Sequence, residues 1–532
     1  MHILIADHLP ESGWDALRAE DQITTAGPFP TREMLLDALP MADALVVRSS
    51  TVVDAGLLAH APKLKVVARA GARLENIDID ACTRRGILVL HVPDANIYAA
   101  AEHTFGMLIA YARQIPQGYN AIQQGEFPRH RMMGFQLHGK TMGIIGFGRL
   151  GREVAARARV FGLHVLVYDP YVDLSFAQTA GVEIVGLEEL LSRADIVSLH
   201  TVYTGQTQHL IDAHALAQMK SSAVLLNCTH AGLVDETALL AALNAESIAG
   251  AVLDTVQNEP PPSDHPLLHH PRVFAVPHLN QNTRESQAET GSRIVADVLA
   301  ALRAEDFRNA VNLPFTAEQP YRTAAPYLHL AAKLGKLQGQ LAGGWITRLD
   351  VQVAGTGIQH FLRPITANLL AGMLKPIDGR AVNWISAPPL ANEQEIVTAQ
   401  SINLLPQEDY PNLLACRVEW RKADGNVGSR LVAGVLFANG DARLVQYNDF
   451  KIDAEPQGYV IIIENDDIPG VIGKVGTQLG VRRVNIANWR YGREIRGGRA
   501  LSFINVDQRV APPVLTELED SPEIHSVRLV HL

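Results

Sequence analysis

This chain of 532 residues contains few cysteines and no long apolar run, and each scarcity excludes a class of protein. Its three cysteines, Cys82, Cys228 and Cys416, are widely separated and form no Cys-x-x-Cys pair. The sequence therefore predicts neither a disulfide framework nor a metal cluster, and it favours a reducing compartment. Nowhere do about 18 apolar residues run together, and the N-terminus MHILIADHLPESG is typical of a first strand rather than of a signal peptide. We expect a cytoplasmic protein that does not bind membranes.

Positive charge is also in the minority. The chain has 46 Lys and Arg residues against 56 Asp and Glu residues, a formal net charge of −10. This acidic balance argues against nucleic acid or an anionic membrane as the main partner. Because 532 residues exceed what one hydrophobic core supports, we expect three or four domains.

The first 95 residues alternate short β-branched runs with helical patterns, which predicts an open parallel α/β sheet. A long amphipathic stretch, AAAEHTFGMLIAYARQIPQGYNAIQQGEF, follows as a connecting helix, and a helix from about residue 286 is expected to return the chain to the first domain. We therefore predict one domain of residues 1–95 plus 286–316 and a second domain of residues 96–285. Both are predicted to be Rossmann-like, doubly wound α/β domains.

Two smaller domains are predicted after the linker VNLPFTAEQP. Residues 317–452 mix helix and strand without a chemical motif and are interpreted as an α+β domain. Residues 457–532 show the order strand, helix, strand, strand, helix, strand, which predicts a small α+β module of ferredoxin-like type.

The stretch GIIGFGRLGREVA carries the pattern GxGxxG between a predicted strand and a predicted helix. In a dinucleotide site, Gly146 permits the tight turn, Gly148 lets the backbone approach a pyrophosphate, and Gly151 lets the helix pack closely. An acidic residue at the end of the next strand, Asp169, suits the ribose hydroxyls and repels a 2′-phosphate, which favours NAD over NADP. The residues that we expect around the cofactor lie in this turn and at later strand ends: Gly146, Gly148, Arg149, Leu150, Gly151, Asp169, Cys228 and Asp254.

Three further strand ends, NCTHAGLVDE, LDTVQNEPP and VPHLNQNT, place His230, Glu259 and His278 on consecutive loops. Oxidation of a secondary alcohol requires a base for the hydroxyl proton. Histidine takes and returns a proton near neutral pH, and a neighbouring carboxylate fixes its tautomer. We interpret His278 and Glu259 as the acid–base pair.

The motifs AEHTFGMLIAYARQIP, GIIGFGRLGREVA, NCTHAGLVDETAL and PHLNQNT resemble those of the D-2-hydroxyacid dehydrogenases, and in particular of the long-form D-3-phosphoglycerate dehydrogenases. The resemblance covers essentially the whole chain. It implies NAD-dependent oxidation of D-3-phosphoglycerate to 3-phosphohydroxypyruvate in L-serine biosynthesis. It also implies that residues 1–95 plus 286–316 form the substrate-binding domain and that residues 96–285 form the NAD-binding domain. The region 317–452 is then the intervening domain, of an allosteric substrate-binding kind, and the C-terminal module is an ACT regulatory domain.

The chain departs from the family pattern at His230, where the resemblance implies an arginine that binds the substrate carboxylate. Histidine offers at most two donors where arginine offers five, so the reaction would slow by about one to two decades. Further departures are Ala72 and Arg73 in the glycine-rich substrate loop, Val202, Asn280 and Gln281. Arg73 either supplies the missing charge or points to solvent.

The remaining site residues are predicted from the resemblance. Those expected to contact an anionic 2-hydroxy acid are Arg48, Arg69, Ala72, Arg73 and Asn96. In the C-terminal module, Asp467 and Asn485 match positions that bind L-serine between subunits, so a homodimer or homotetramer is expected. No metal site is predicted. The altered arginine position leaves two alternatives: a dehydrogenase for another anionic 2-hydroxy acid, and a catalytically weak, NAD-binding regulatory protein.

Overall fold

Short β-branched runs near the N-terminus form the strands of a five-stranded parallel sheet. The structure is a computed structural model that describes residues 1–172, 181–313, 321–375, 382–403, 410, 412–437 and 440–532. The strands of the first sheet are β1 (His2–Ile5), β2 (Thr24–Ala26), β3 (Ala44–Val47), β4 (Val66–Arg69) and β5 (Leu88–His91). Their order, β2-β1-β3-β4-β5, is doubly wound, as predicted.

Four short helices connect these strands. They are α1 (Glu11–Arg18), α2 (Arg32–Ala38), α3 (Ala55–Ala59) and α4 (Ile79–Arg84). Aspartates begin two of them, because a carboxylate at the N-cap accepts a backbone N–H that lacks a partner within the helix. Asp54 accepts from Leu57 and Asp78 from Ala81, each over 2.8 Å.

A second parallel sheet has seven strands. They are β6 (Thr141–Ile145), β7 (His164–Tyr168), β8 (Glu183–Ile184), β9 (Ile196–Leu199), β10 (Val224–Asn227), β11 (Gly250–Leu253) and β12 (Val273–Ala275). Their order is β12-β11-β10-β9-β6-β7-β8, so the strand order reverses between β6 and β9. That reversal creates the crevice in which open α/β sheets bind ligands.

Both faces of the second sheet are covered. Leu225 packs in one apolar cluster and Leu226 in another, as expected for a parallel sheet with helices on each face. The helices of this part of the chain are α5 (Ile97–Ala112), α6 (Ile115–Gln123), α7 (Arg149–Val160), α8 (Leu187–Arg193), α9 (Ala213–Gln218), α10 (Glu236–Asn244) and α11 (Arg284–Leu302).

Most of the predicted linker lies outside the described residues, and the chain from Tyr321 to Ala454 contains a six-stranded mixed sheet. Its elements are α12 (Tyr321–Leu341), β13 (Trp345–Ala354), α13 (Leu362–Leu374), α14 (Ala387–Glu393), β14 (Val397–Ile402), β15 (Leu413–Arg421), β16 (Val427–Leu436), β17 (Ala442–Tyr447) and β18 (Phe450–Ala454). The strand order is β14-β13-β15-β16-β17-β18. Glycines let α12 and α13 approach closely: a Cβ at Gly335 would lie 2.0 Å from the carbonyl oxygen of Leu369.

The C-terminal module has the predicted order of elements. These are β19 (Tyr459–Asp466), α15 (Val471–Val481), β20 (Ile486–Arg493), β21 (Arg499–Val506), α16 (Pro512–Glu519) and β22 (Ile524–His531). The antiparallel strands lie in the order β20-β21-β19-β22, which is the ferredoxin-like arrangement. The identity of this module as an ACT domain stays a prediction.

The described chain divides into two compact units. One contains Met1–Leu9, Gly13–Val92 and Ser292–Leu532, and the other contains Pro10–Ser12 and Pro93–Gly291. The finer domain limits given above stay predictions. Among the described residues, no helix combines the length and apolarity needed to cross a bilayer.

Candidate active site

The three glycines of the GxGxxG turn each meet a different local requirement. Gly146 has a φ of 96°, and a Cβ there would lie 2.6 Å from the backbone carbonyl carbon of His200. A Cβ at Gly151 would lie 2.1 Å from the carbonyl oxygen of Gly146, so the first turn of α7 packs directly on the loop. A Cβ at Gly148 would meet nothing within 4 Å. Only the middle glycine thus faces open space, which is where a pyrophosphate has to approach.

A cleft of about 700 Å³ opens beside this turn, at the point where the strand order reverses. Its lining includes Gly148, Asp169, His200 and Thr201. The Asp169 carboxylate accepts the backbone N–H of Phe147 over 2.7 Å and remains on the cleft wall. An acidic side chain, a helix N-terminus and an uncovered glycine therefore share one cleft, and these features fit a dinucleotide with a free ribose 2′-hydroxyl.

The two residues between the last glycines occupy different environments. Arg149 is exposed at the start of α7 and forms an ion pair with Asp94. Leu150 packs against the apolar cluster under the sheet. Arg149 thus holds its charge at the helix N-terminus, where phosphate groups bind, whereas Leu150 anchors the turn.

His278 and Glu259 form a direct pair. Nδ1 of His278 lies 2.7 Å from Oε2 of Glu259, and the two side chains are 22% and 37% exposed. Since a carboxylate only accepts, Nδ1 of His278 carries the proton and donates it to Glu259. His278 has a φ of 55°, a left-handed conformation that is rare for residues other than glycine. The pair predicted from sequence is thus brought together by the fold.

The buried Asp254 side chain ties this pair to the sheet. The register places Asn227 beside Leu253 and Leu253 beside Ala275, so the loops after β10, β11 and β12 begin side by side. The Asp254 carboxylate accepts the backbone N–H groups of Leu279 over 2.7 Å and of Asn280 over 3.1 Å. Within the described chain, both oxygens of this residue therefore have protein donors.

Cys228 and Asn280 complete the link between the loops. The Asn280 amide donates to the carbonyl oxygen of Cys228 over 2.7 Å. The Cys228 thiol is buried, and burial raises its pKa well above the usual range. Cys228 therefore contributes its backbone rather than a reactive thiol, and cofactor contact by Cys228 stays a prediction.

His230 is held in one orientation by two contacts. Its Nδ1 accepts the backbone N–H of Gly232 over 3.0 Å, so the neutral ring carries its proton on Nε2. The ring also stacks on Tyr203, with centroids 4.1 Å apart and planes at 7°. The position that the resemblance assigns to arginine thus presents a stacked imidazole.

Arginines converge at the carboxyl ends of β3 and β4 in the other unit. Val47 at the end of β3 pairs with Arg69 at the end of β4, so Arg48 comes one residue after the strand that neighbours Arg69. Burial lowers the pKa of Arg69, an effect that Glu75 opposes and the nearby charges of Arg73 and Arg48 reinforce. Arg69 donates from Nη1 to the carbonyl oxygen of Arg73 over 2.6 Å. The loop that contains Arg73 is thereby fixed by one of the arginines predicted to bind an anion.

The other predicted substrate contacts, Arg73, Ala72 and Asn96, each have a defined position. Arg73 Nη1 lies 3.9 Å from Oε1 of Glu75, and its side chain is 28% exposed, so it does not simply extend into solvent. The carbonyl oxygen of Ala72 lies 2.8 Å from Nδ1 of His91. Asn96 is the N-cap residue of α5 in the second unit.

Of the two predicted serine contacts, Asp467 follows β19 and Asn485 immediately precedes β20. Asp467 accepts the N–H of Gly497 over 3.0 Å and the hydroxyl of Tyr491 over 3.2 Å, and the first of these bonds lowers the pKa of Asp467. Asn485 donates to Asp507 over 2.6 Å. The two side chains therefore have different hydrogen-bond partners, and a serine site shared between subunits stays a prediction.

Sequence reasoning missed three residues of this region. They are His103, which contacts Asp254; Tyr203, which stacks on His230; and His200, which lines the cleft. His103 lies in the stretch AEHTFGM, which carried the resemblance without a role for the histidine. The other two lie in HTVYT, where only the departure at Val202 was noted. No spacing rule connects His103 to Asp254 or Tyr203 to His230, because these partners are distant in sequence.

Comparisons with known proteins agree with this geometry. Residues 105–280 match the model of the D-isomer specific 2-hydroxyacid dehydrogenase, NAD binding domain. Residues 323–448 match the D-3-phosphoglycerate dehydrogenase intervening domain. Among solved structures, a protein from Thermus thermophilus is 32% identical, with a TM-score of 0.54 over 58% of this chain and 100% of that one. A glyoxylate reductase from Paecilomyes thermophila is 30% identical, with a TM-score of 0.53 over 58% of this chain and 98% of its own.

Similarity to curated proteins extends over the whole chain. A D-3-phosphoglycerate dehydrogenase of Methanocaldococcus jannaschii is 34% identical over 100% of this chain and 99% of its own. The enzymes of that name from Bacillus subtilis and Mycobacterium tuberculosis are 35% and 37% identical over the same shares. With its NAD binding domain and its intervening domain, the chain belongs to the D-3-phosphoglycerate dehydrogenase family of D-isomer specific 2-hydroxyacid dehydrogenases.

Proposed function

We propose that this protein oxidises D-3-phosphoglycerate to 3-phosphohydroxypyruvate with NAD, the step that commits carbon to L-serine. The observation that carries the chemistry is the 2.7 Å contact between His278 and Glu259 at the ends of the strands beside the dinucleotide cleft. The choice of substrate is supported by relatives that are 33–37% identical over the full chain and carry the name D-3-phosphoglycerate dehydrogenase.

The proton and the hydride leave the same carbinol group. In this proposal, Nε2 of His278 accepts the hydroxyl proton while the C2–H bond breaks and the carbonyl forms. Glu259 holds the Nδ1 proton and stabilises the imidazolium that results. When bound, NAD supplies the acceptor for the hydride. In the reverse direction, the same imidazolium returns its proton to the carbonyl oxygen.

In this proposal, both charged and neutral hydrogen-bond donors bind the anionic substrate. Arg48, Arg69 and Arg73 bind the charged groups of the substrate, because guanidinium groups match phosphate and carboxylate oxygens. His230 donates one hydrogen bond from Nε2 to the substrate carboxylate. Asn96 and the backbone at Ala72 add neutral contacts.

The dinucleotide in this proposal lies along the glycine turn. Gly146, Gly148 and Gly151 shape the backbone around the pyrophosphate, and Asp169 accepts the ribose hydroxyls. Arg149 exchanges its ion pair with Asp94 for the phosphates. Asp254 contributes through the loops that it orders rather than through an exposed carboxylate.

NADH formation, followed by absorbance, tests the function. D-3-phosphoglycerate is compared with 2-hydroxyglutarate and glycerate, for the native protein, for His278→Gln and for the exposed control His214→Gln. We expect the highest kcat/KM with D-3-phosphoglycerate, a loss of about 10²- to 10⁴-fold in His278→Gln and native rates in the control. Preference for another 2-hydroxy acid would identify a different substrate, and NAD binding without turnover would contradict the proposal.

Three finer properties belong to the same proposal: an ACT identity for the C-terminal module, a homodimer or homotetramer, and a cytoplasmic location. The first two are supported by the ferredoxin-like topology and by Ile468 and Ile472, which are each 50% exposed on this module. The third is supported by three buried, unpaired cysteines.

Feedback by L-serine is proposed at Asp467 and Asn485 across a subunit interface. We expect L-serine to lower kcat of the native protein and not of Asp467→Asn, because the charged acceptor for the serine ammonium is lost. Steady-state rates with increasing serine measure this effect, and light scattering gives the subunit number. Native rates at saturating serine would argue against the site.

A further inference from the structure

The His103 imidazole makes a contact that the proposed chemistry leaves unexplained. His103 lies in α5, and its Nε2 is 2.9 Å from Oδ1 of Asp254. The Asp254 side chain is fully buried, whereas that of His103 is 19% exposed. Because a carboxylate oxygen only accepts, Nε2 of His103 carries the proton and donates it to Asp254.

Asp254 in turn holds the backbone of the loop that begins with His278. Oδ1 of Asp254 accepts the N–H of Leu279 over 2.7 Å, and Oδ2 accepts that of Asn280 over 3.1 Å. The backbone carbonyl of Asp254 accepts the N–H of His278 over 2.9 Å. Three consecutive peptide groups of the loop therefore bond to a single residue, and His103 donates to the same carboxylate.

This arrangement bears on the left-handed backbone of His278, whose φ is 55°. Such a conformation is costly for a residue with a side chain and persists where surrounding bonds hold it. A buried carboxylate is also costly unless donors surround it. Removing the His103 donor would leave Asp254 short of one partner and loosen its hold on the loop.

We infer that His103 is a positioning residue for the reaction: through the carboxylate of Asp254, it keeps the His278 loop in the conformation that presents the imidazole. The effect on the reaction rests on the proposed role of His278 as the acid–base. The anchoring of the loop by His103 through Asp254 does not depend on that role. It assigns a role to a side chain on α5, outside the strand-end loops that contain the acid–base pair.

Two variants of His103 distinguish the loss of its hydrogen bond to Asp254 from the loss of its imidazole ring. In His103→Gln the amide N–H reaches to about the position of Nε2, whereas the polar side chain of His103→Asn is too short. We expect His103→Asn to lower kcat about ten- to a hundredfold with a smaller change in KM, and His103→Gln to retain most of the native kcat. His214→Asn, at an exposed position on α9, is the matched control and should keep native rates.

Amide hydrogen exchange gives a readout that does not depend on turnover. We expect exchange of the Leu279 and Asn280 amides to become about tenfold faster or more in His103→Asn, with native rates in His103→Gln and in the control. Native exchange and native kcat in a folded His103→Asn protein would overturn the inference. If the native protein failed to turn over, the proposed function would fail, and the exchange data alone would decide whether His103 anchors the loop.

Discussion

His230 sits at the position where the resemblance implies a guanidinium group, and the local structure shows how an imidazole is accommodated there. The ring is stacked on Tyr203 and bonded through Nδ1 to the backbone of Gly232. A Cβ at Gly232 would lie 2.5 Å from the Tyr203 ring, so the stack depends on a glycine at that position. With Nδ1 accepting from Gly232, an imidazole can offer a substrate carboxylate at most one N–H, where arginine would offer a charged pair of donors.

Replacement of this histidine by arginine tests its cost. We expect His230→Arg to raise kcat/KM for D-3-phosphoglycerate about ten- to a hundredfold, because a bidentate, charged contact replaces a single neutral one. Guanidinium groups also stack on aromatic rings, so the contact with Tyr203 is retained. Steady-state kinetics measure the change, with His214→Arg as a control for added charge. An unchanged or lower kcat/KM would mean that the pocket is adapted to imidazole.

At the scale of elements, two glycines of the strand–turn–helix unit from β6 to α7 have different roles, one in cofactor binding and one in stability. Gly148 and Gly151 are three residues apart, yet a Cβ at the first meets open space and a Cβ at the second lies 2.1 Å from a backbone oxygen. Backbone atoms cannot move aside as a flexible side chain does. The same substitution at the two positions should therefore have different consequences.

We expect Gly151→Ala to lower the free energy of unfolding by about 1–3 kcal/mol, because α7 must move away from the turn. Gly148→Ala should leave that free energy nearly unchanged and weaken NAD binding, because its methyl group fills the space above the turn. Urea denaturation and calorimetric titration with NAD measure the two effects. Native NAD affinity in Gly148→Ala would show that the pyrophosphate does not approach this glycine.

At the scale of the whole molecule, one buried histidine links stability to pH. His200 hydrogen bonds through Nε2 to Ser198 over 2.7 Å, and burial lowers its pKa to about 3. In the unfolded chain, histidine has its ordinary pKa of about 6.5. Below that pH the unfolded state takes up a proton that the folded state refuses, so acid favours unfolding.

Above about pH 6.5, His200 is neutral in both states and its titration does not affect the free energy of unfolding. As the pH falls from there towards 3, protonation of His200 in the unfolded chain lowers that free energy by about 1.4 kcal/mol per pH unit. We expect His200→Gln, which keeps a polar partner for Ser198, to unfold with a shallower pH dependence in this range. Chemical denaturation at pH 7, 6 and 5 gives the slopes, and His214→Gln provides the comparison for an exposed histidine. Equal slopes in the native protein and His200→Gln would mean that folding does not lower the pKa of His200.

The sequence by itself determined the order of elements, the glycine turn and the strand-end residues. Each of these depends on local rules: strand and helix periods, the backbone freedom of glycine, and the tendency of parallel strands to end at one edge. His278, Glu259 and Asp169 could be predicted for this reason, although Glu259 and His278 are 19 positions apart. The βαββαβ order of the last module was predicted in the same way.

Only the tertiary structure decided which side chains meet across long stretches of chain. His103 and Asp254 are 151 positions apart, and His230 lies on Tyr203 because two loops from neighbouring strands converge. Such contacts depend on strand register and packing, and neither periodicity nor spacing contains that information. The sequence could thus name the His278 and Glu259 pair that the fold brings into contact, whereas the contacts of His103 and Tyr203 became visible only once the sheet was assembled.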